Sequence, residues 1–400
     1  MRSCCQPRAI EIADRFRFRF SLFAGQLATH YALKMANTRI RYLDGIRALA
    51  IASVLIVHWG APMAQSFFPG AGIARGGYIG VDIFFVLSGY IITSMLWRGT
   101  LRGSVPAQYG RFLRRRVIRL YPALVGLIVV TILIYAVYPD APASVLDLIE
   151  PGAVALVQGT SLYLGSQVGA DSPFGITWSL SIEWMFYLLW PIAVLLARRW
   201  QTAATSFAIG SAGVAIVFYV FALTQDNHWF YFGPMARVPE LLAGAVLALL
   251  LTRSQASDTR PPNAGILNTI ALVSVTGVGI YVLVGPAQWS TSFRLIGLPL
   301  AVLATVLLIW AGSRSESGAV NRILSWGPLP LVGRVSYSLY LWHEIGFNLL
   351  VLNPGAVSLP IAAVLSVLVA AGLTALSYRF LEVPFLKPRM DVLREPAVRL

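Results

Sequence analysis

The segment Tyr78 to Trp97 reads YIGVDIFFVLSGYIITSMLW, and Asp82 is the one charged residue among these twenty. About twenty apolar helical residues are needed to cross a hydrocarbon core about 30 Å thick, so the segment has the length and composition of a transmembrane helix. The whole chain has the same character, because 57% of its 400 residues are hydrophobic and 12% are charged. That composition cannot cover a water-soluble surface, and it predicts repeated membrane crossing.

Ten segments of the chain are long and apolar enough to span a bilayer. They cover residues 46–65, 78–97, 117–137, 177–196, 206–224, 237–251, 266–284, 295–310, 331–352 and 358–381. A further apolar stretch, 153–164, is too short to cross and is predicted to be re-entrant or interfacial. The predicted fold class is therefore an all-α, polytopic integral membrane protein with about ten transmembrane helices.

Positive charge is concentrated in alternate loops. The chain has 31 Lys and Arg against 17 Asp and Glu, and its basic loops follow even-numbered spans, whereas the long loop 138–176 has four acidic residues and no basic one. Because Lys and Arg accumulate on the cytoplasmic side of a membrane, both termini are predicted to be cytoplasmic. This placement argues against a nucleic-acid-binding surface. Arg75, Arg237 and Arg294 are predicted to lie on the outer side of the membrane, against this charge pattern, which makes them candidates for a functional role.

The sequence divides into three predicted parts. Residues 1–38 form a basic extension that is expected to be dispensable, with an arm at the membrane interface as the alternative. Residues 39–385 form the transmembrane domain, and 386–400 form a short cytoplasmic tail. The two cysteines, Cys4 and Cys5, are adjacent and precede the first span, so no disulfide framework is indicated.

The first span carries three ionisable residues at informative spacing. His58 follows Arg47 by eleven residues, which is close to three helical turns and places both on one face, about 16 Å apart. Asp44 lies three residues before Arg47, where the two side chains can pair. An ionisable side chain near mid-membrane is costly and indicates a functional site. The alternative for His58 is a neutral ring that is hydrogen-bonded between helices.

Six ordered motifs resemble those of the membrane acyltransferase-3 family, whose members O-acylate sugars and related acceptors. They are DGIRA at 44–48 with His58, GVDIFFVLSGY at 80–90, RRVIRLYP at 115–122, TWSLSIE at 177–183, SYSLYLWH at 336–343 and YRFLE at 378–382. The resemblance covers about 39–384, and the family's ten-span core agrees with the predicted count. Trp184 departs from the pattern, because many relatives have a second Glu there.

The resemblance implies catalytic roles for residues of the first span. His58 is expected to act as general base on the acceptor hydroxyl, with Arg47 in the same essential pair and Asp44 beside it. A positioned histidine contributes about 10²- to 10⁴-fold to such a proton transfer. A pocket that excludes bulk water would limit hydrolysis of a thioester donor. Direct transfer and an acyl-histidine intermediate both remain open.

An arginine motif at the inner end of the third span is the predicted donor site. Arg116 and Arg119 are one turn apart, so both guanidinium groups, with Arg115 next to them, can bind the phosphates of acyl-coenzyme A, expected to be acetyl-coenzyme A. The alternative is the ordinary excess of positive charge on the cytoplasmic side.

Acceptor binding is assigned to the outer ends of the second and fourth spans. Asp82 and Glu183, with Trp178 and Ser179 of the same motif as Glu183, are expected to bind sugar hydroxyls or orient His58. The alternative for the two carboxylates is structural pairing with Arg75, Arg237 or Arg294. Four aromatic residues are predicted to lie in the interfacial belts of the membrane: Trp178, Tyr187, Trp190 and Trp229. For Trp178, stacking on a sugar ring is the second possibility.

Several polar residues of the later spans have a structural or a functional interpretation. His343 and Glu344 lie within the ninth span, where hydrogen bonding between helices is the leading interpretation. Arg237 and Glu240 are three residues apart and can satisfy each other, and Glu382 belongs to the closing motif. The four histidines lie in separate segments without paired ligand spacing, so no metal site is predicted.

The motifs together predict a bacterial cytoplasmic-membrane O-acyltransferase. It would move an acyl group, expected to be acetyl, from acyl-coenzyme A to a hydroxyl of an envelope polysaccharide or glycolipid, or of a small glycosylated metabolite. Since no esterase-like domain follows the last span, any second transfer step is expected to need a separate extracytoplasmic transferase. A membrane transporter is the rival class, because intramembrane charge and interrupted helices are expected there too. A noncatalytic envelope scaffold is the third possibility.

Overall fold

The computed structural model describes residues 41–62, 72–99, 103–137, 144–166, 172–256, 263–315, 318–351 and 359–386. These residues form helices and connecting turns, and none of them forms a β-strand. The predictions for 1–38 and for the tail after residue 386 lie outside the described residues.

Fifteen helices are numbered α1 to α15 within this part of the chain. They are Arg41–Gly60, Ile79–Arg98, Val105–Val137, Ile149–Leu156, Thr160–Ser166, Trp178–Arg199, Ala204–Leu223, Asn227–Phe232, Pro234–Ala256, Ala264–Val284, Leu298–Arg314, Ala319–Leu324, Pro328–Val351, Leu359–Ser377 and Val383–Leu386. Wide π turns occur at Ile56–Gly60, Phe293–Gly297 and Tyr378–Glu382.

The prediction of an all-α, polytopic membrane protein is confirmed. Nine helical segments of the described residues are long and apolar enough to cross a bilayer, and they coincide with nine of the predicted spans. The other predicted span, 331–352, forms α13, whose 24 residues correspond to about 36 Å of helix. Arg334, His343 and Glu344 make α13 less apolar than the other nine. His343 is buried and Glu344 lines a cavity described below, whereas Arg334 is exposed.

Two spans differ from the predicted boundaries. Helix α3 begins at Val105, twelve residues before the predicted start at 117, because the arginine-rich segment continues the helix instead of forming a loop. The predicted sixth span was short, and the structure extends it with α8, which Gly233 separates from α9. The apolar stretch 153–164 falls on α4 and α5, two short helices that pack against neighbouring helices and do not cross the protein.

Helices α2 and α9 pack against each other with their backbones in close contact. A Cβ atom at Gly89 would lie 1.8 Å from the carbonyl oxygen of Leu241, and one at Gly244 would lie 1.9 Å from that of Val86. Glycine is therefore required at both positions, as in other membrane helix pairs whose backbones touch. This contact places the polar residues of α2 and α9 next to each other in a buried layer.

Candidate active site

Three adjoining cavities run through the described part of the protein. The arginine cavity, of about 860 Å³, is lined mainly by Arg111, Arg115, Arg116, Arg119 and Arg198 with Phe112 and Phe385. The central cavity, of about 230 Å³, contains Arg47 and Glu183 and shares Met95, Arg116 and Arg119 with the arginine cavity. The histidine cavity, of about 350 Å³, contains His58 and Glu344 and shares Val81 and Tyr340 with the central cavity.

His58 lies in the π turn at the end of α1 and lines the histidine cavity. Its Nδ1 is 3.0 Å from Nε2 of His343 on α13, and the ring of His343 is fully buried. Nδ1 of His343 is 2.7 Å from the carbonyl oxygen of Tyr340. The spacing argument from Arg47 assumed a regular α-helix, whereas the π turn adds a residue to the last turn and changes the direction of His58.

Arg47 lines the central cavity, and its Nε donates to Oγ of Ser336 at 3.3 Å. The predicted ion pair between Asp44 and Arg47 is not formed among the described residues, because the guanidinium group extends toward α13. The backbone of Asp44 is in contact with α13, since a Cβ at Gly333 would lie 1.8 Å from its carbonyl oxygen. Arg47 and His58 thus line adjoining cavities instead of pairing directly.

Glu183 lies in the central cavity together with Arg47, Arg116 and Arg119. Ser88 donates to its Oε1 and Tyr187 to its Oε2, each at 2.6 Å. Helix α6 begins at Trp178, so Glu183 is about 7.5 Å further along the helix. Its two hydroxyl partners hold the carboxylate on the same side as Arg116 and Arg119.

The arginine motif faces the cavities as a helical surface. Arg116 lies over the rings of Phe112 and Tyr187, with its guanidinium carbon 5.2 and 5.1 Å from their centroids. Nε of Arg119 is buried and has no hydrogen-bond partner among the described residues. Arg115 is exposed, and it lines the arginine cavity but not the central cavity. Arg116 and Arg119 therefore line both the arginine cavity and the central cavity.

Asp82 is paired with Arg237, which is the alternative that the sequence left open. The Arg237 Nη1 atom is 2.7 Å from Asp82 Oδ1 and 3.0 Å from Glu240 Oε1, and its Nε donates to the carbonyl of Tyr231. All three charged side chains are buried. Asp82 does not line the three cavities, so this geometry gives it a role in the packing of α2 against α9.

Trp178 and Ser179 face two different cavities at the start of α6. Trp178 lines the histidine cavity and packs against Tyr231, with ring centroids 5.3 Å apart. Ser179 lines the central cavity, and its Oγ is 2.8 Å from the hydroxyl of Tyr340. Since the Tyr340 hydroxyl donates to the carbonyl of Ile176, Ser179 is the donor in this pair.

The predicted aromatic belt is wrong for three of its four residues. Trp178, Tyr187 and Trp190 are buried, and Nε1 of Trp190 donates to Thr93 at 2.7 Å. Trp184, the departure from the family pattern, is also buried and packs edge-on against Tyr121. The interior between α2, α3 and α6 is therefore more aromatic than the sequence pattern indicated.

The remaining candidates have separate positions. Glu344 lines the histidine cavity, whereas the buried carboxylate of Glu382 accepts from Ser338 outside the three cavities. Arg294 donates to the carbonyls of Leu223 and Gln225 at 2.7 and 2.8 Å, which satisfies the end of α7. Arg75 is exposed. Among the described residues, no cluster of His, Cys, Asp or Glu has the arrangement of a metal site.

Sequence reasoning did not select several residues of the central cavity. Ser88, Ser336 and Tyr340 line it. Ser88 belongs to the eleven-residue motif at 80–90, and the other two belong to the eight-residue motif at 336–343. Arg111 and Arg198 also line the arginine cavity, although neither was selected from the sequence as a site residue. Their position in a motif or in a basic loop was visible, but the direction of each side chain was not.

This arrangement defines a polytopic membrane protein with ionisable groups in three adjoining internal cavities. The family described as the acyltransferase domain of the acyltransferase-3 type matches residues 40–378, and the chain belongs to this family of membrane acyltransferases. No solved structure matches the chain.

Three curated relatives illustrate the similarity. The chain is 29% identical over 367 residues to O-acetyltransferase OatA of Staphylococcus aureus (strain NCTC 8325 / PS 47), covering 86% of this chain and 57% of the relative. It is 30% identical over 361 residues to putative peptidoglycan O-acetyltransferase YrhL of Bacillus subtilis (strain 168), covering 86% and 54%. It is 28% identical over 367 residues to peptidoglycan O-acetyltransferase OatA of Listeria monocytogenes, covering 86% and 55%. The chain thus spans a little over half the length of these relatives.

Proposed function

We propose that this protein is a membrane O-acyltransferase that moves an acetyl group from acetyl-coenzyme A to a hydroxyl of an envelope polysaccharide or glycolipid. The observation that carries the proposal is the row of adjoining cavities. It connects five arginines at one end, through Arg47 and Glu183, to His58 and an aromatic wall at the other. An anionic donor requires a basic site such as the arginine cavity, whereas a neutral hydroxyl acceptor requires a site without this positive charge, such as the histidine cavity.

The arginine cavity fits the phosphates of a coenzyme A donor. Guanidinium groups bind phosphate oxygens through paired hydrogen bonds, and the cavity offers five of them within about 860 Å³. Arg119 supports this assignment further, because its buried Nε has no partner among the described residues. Arg116 and Arg119 reach the central cavity as well, so the phosphates can lie beside the entrance through which the acyl arm passes.

The histidine cavity fits a carbohydrate acceptor. Trp178, Tyr231 and Phe232 supply aromatic faces, and Gln288 and Glu344 supply polar groups for hydroxyls. Aromatic bodies with a few placed polar groups are typical of small-molecule sites. The relatives from B. subtilis and L. monocytogenes are named a putative peptidoglycan O-acetyltransferase and a peptidoglycan O-acetyltransferase, and these names support a cell-envelope glycan as the acceptor.

The acyl transfer requires one proton acceptor that later becomes a donor. The acceptor hydroxyl attacks the thioester carbonyl while an imidazole nitrogen of His58 takes the hydroxyl proton. The new C–O bond forms, the C–S bond breaks, and His58 returns the proton to the departing sulfur. In this proposal Arg47 and Glu183 shape the passage of the acyl arm, and no acyl-enzyme intermediate is needed.

The loop charges give the orientation of this reaction. With both termini in the cytoplasm, the arginine-rich start of α3 lies on the cytoplasmic side, where acetyl-coenzyme A is made. The histidine cavity, which Leu164 of α5 and Ser172, Gly175 and Ile176 of the segment before α6 help to line, then faces the other side of the bacterial cytoplasmic membrane. The donor and the acceptor would reach the same active site from opposite sides.

Release of coenzyme A by the detergent-purified protein tests the proposal. We expect release that depends on an added glycan acceptor, with the mass of an acetyl group gained by the glycan, and we expect His58→Ala to abolish both. His228→Ala is the control, because this histidine on α8 lines none of the three cavities and packs behind Phe232 of the histidine cavity. A transporter has no reason to cleave a thioester where no second compartment exists. Full activity of the His58→Ala variant would overturn the mechanism.

A further inference from the structure

His58 and His343 form a hydrogen-bonded pair between two helices that are far apart in sequence. Nδ1 of His58 on α1 is 3.0 Å from Nε2 of His343 on α13, and the ring centroids are 4.8 Å apart. His343 is fully buried, whereas His58 lines the histidine cavity. Only His58 can therefore meet an acceptor molecule, and His343 acts through it.

The backbone of α13 determines which nitrogen of His343 carries hydrogen. Nδ1 of His343 is 2.7 Å from the carbonyl oxygen of Tyr340, and a carbonyl oxygen only accepts hydrogen bonds. A neutral imidazole has one N–H, so this hydrogen is on Nδ1 and the lone pair of His343 is on Nε2. The 3.0 Å contact then requires the N–H of His58 on its Nδ1, because one of the two nitrogens must donate.

We propose that His343 is the positioning residue that holds His58 as the tautomer with a free lone pair on Nε2. This inference rests on the proposed function, in which His58 is the general base. The role corresponds to the third group of a catalytic triad, which orients the base and selects its tautomer. Here a neutral imidazole takes the place of a carboxylate.

The arrangement also serves the proton transfer itself. When Nε2 of His58 takes the proton of the acceptor hydroxyl, the ring becomes an imidazolium with hydrogen on both nitrogens. Its Nδ1–H remains directed at the lone pair of His343, so the new positive charge has an acceptor in a buried site. When the C–S bond breaks, Nε2 gives the proton to the sulfur and the ring returns to its starting tautomer. His343 keeps its own hydrogen on Nδ1 throughout.

The surroundings hold the two rings in place. His58 lies in the π turn of Ile56–Gly60, and such wide turns are frequent at functional sites. Trp59 of the same turn packs edge-on against His343, with centroids 6.3 Å apart. The pair is therefore fixed from the α1 side by the π turn and from the α13 side by the carbonyl of Tyr340.

Two amide substitutions separate a positioning role from a structural one. The side chain of His343→Gln places Oε1 near the former Nε2, where it accepts from His58. The side chain of His343→Asn reaches only the former Nδ1, so it keeps a donor for Tyr340 but removes the acceptor on α13 from His58, which then keeps only its hydrogen bond to the backbone of Val54 on α1. We expect His343→Asn to lower kcat by about 10²- to 10⁴-fold, which is the range for loss of tautomer control or of general base catalysis. Gln should stay within about tenfold of the wild-type kcat, and KM for acetyl-coenzyme A should change little in both variants.

The outcomes distinguish this inference from the proposed function. The positioning role alone would be overturned if the wild type is active, His58→Ala is inactive, and His343→Gln and His343→Asn have equal kcat values. A wild type without acetyl transfer, or an active His58→Ala variant, would overturn the proposed function instead.

NMR spectroscopy of the wild-type protein tests the tautomer of His58 directly, without an activity assay and without a variant that has to fold. In wild-type protein with ¹⁵N-labelled histidine, the NMR signals of His58 should report hydrogen on Nδ1 and a lone pair on Nε2. Hydrogen on Nε2 of neutral His58 would overturn the inference, whatever the variants do.

Discussion

The Arg237 guanidinium on α9 donates to the Asp82 carboxylate on α2 across a distance of 2.7 Å, with both side chains buried. Glu240, one turn further along α9, accepts from the same Nη1 atom at 3.0 Å. Arg237 also lies under the rings of Tyr231 and Trp178, 4.7 and 5.4 Å from their centroids. One cation thus holds two carboxylates and supports the aromatic wall of the histidine cavity.

Removal of this cation should destabilise the protein more than removal of either carboxylate. Arg237→Leu leaves Asp82 and Glu240 buried without their cation, for which we expect a loss of about 3–5 kcal/mol in the free energy of unfolding. Asp82→Leu should lose less, because Glu240 still pairs with Arg237. Thermal unfolding in detergent measures both, with the exposed Arg75→Leu as control. A loss under 1 kcal/mol for Arg237→Leu would contradict the buried ion pair.

Loss of Arg116 or of Arg119, which line both the arginine and the central cavity, should weaken donor binding. Arg116→Ala and Arg119→Ala each remove a charged hydrogen-bond donor worth about 1.5–3 kcal/mol, so KM for acetyl-coenzyme A should rise by about 10- to 100-fold. Arg114→Ala is the matched control, because Arg114 lies on the same turns of α3 but is exposed and lines none of the three cavities. Steady-state coenzyme A release at varied donor concentration measures the effect. Equal KM values for the three variants would exclude these arginines from donor binding.

Shortening an aromatic wall residue should affect the acceptor and not the donor. Trp178→Phe keeps an aromatic ring in the histidine cavity but reduces the area for stacking on a sugar. A loss of about 0.5–1.5 kcal/mol of aromatic contact corresponds to a KM for the glycan that is about 2- to 10-fold higher. Trp190→Phe changes a buried tryptophan outside the three cavities and serves as the control. A rise in KM for acetyl-coenzyme A with Trp178→Phe would place this residue on the donor side instead.

A single methyl group at the contact of α2 and α9 should destabilise the fold. Gly244→Ala puts a Cβ 1.9 Å from the carbonyl oxygen of Val86, so the helices must separate. We expect a loss of about 1–3 kcal/mol, the usual range for an overpacked core. Gly213→Ala on α7 has no atom within 4 Å of the new Cβ, and a gain of up to about 1 kcal/mol in helix propensity is expected there. Thermal unfolding of the two variants under the same detergent conditions is the measurement, and a Gly244→Ala protein as stable as Gly213→Ala would contradict the close contact.

The sequence by itself determined that the chain is an all-α membrane protein, since apolar segments of bilayer length have few other stable arrangements. It also placed Arg116, Arg119 and His58 in recognisable motifs, and these residues mark the two ends of the reaction in the proposed function. Only the tertiary structure decided which side chains meet. His58 and His343 are 285 residues apart, and Asp82 and Arg237 are 155 apart. Helical periodicity assigns a residue to a face but does not identify the helix packed against that face. For this reason the ion pair of Asp82, the position of Glu183 and the partner of His58 required the packed helices.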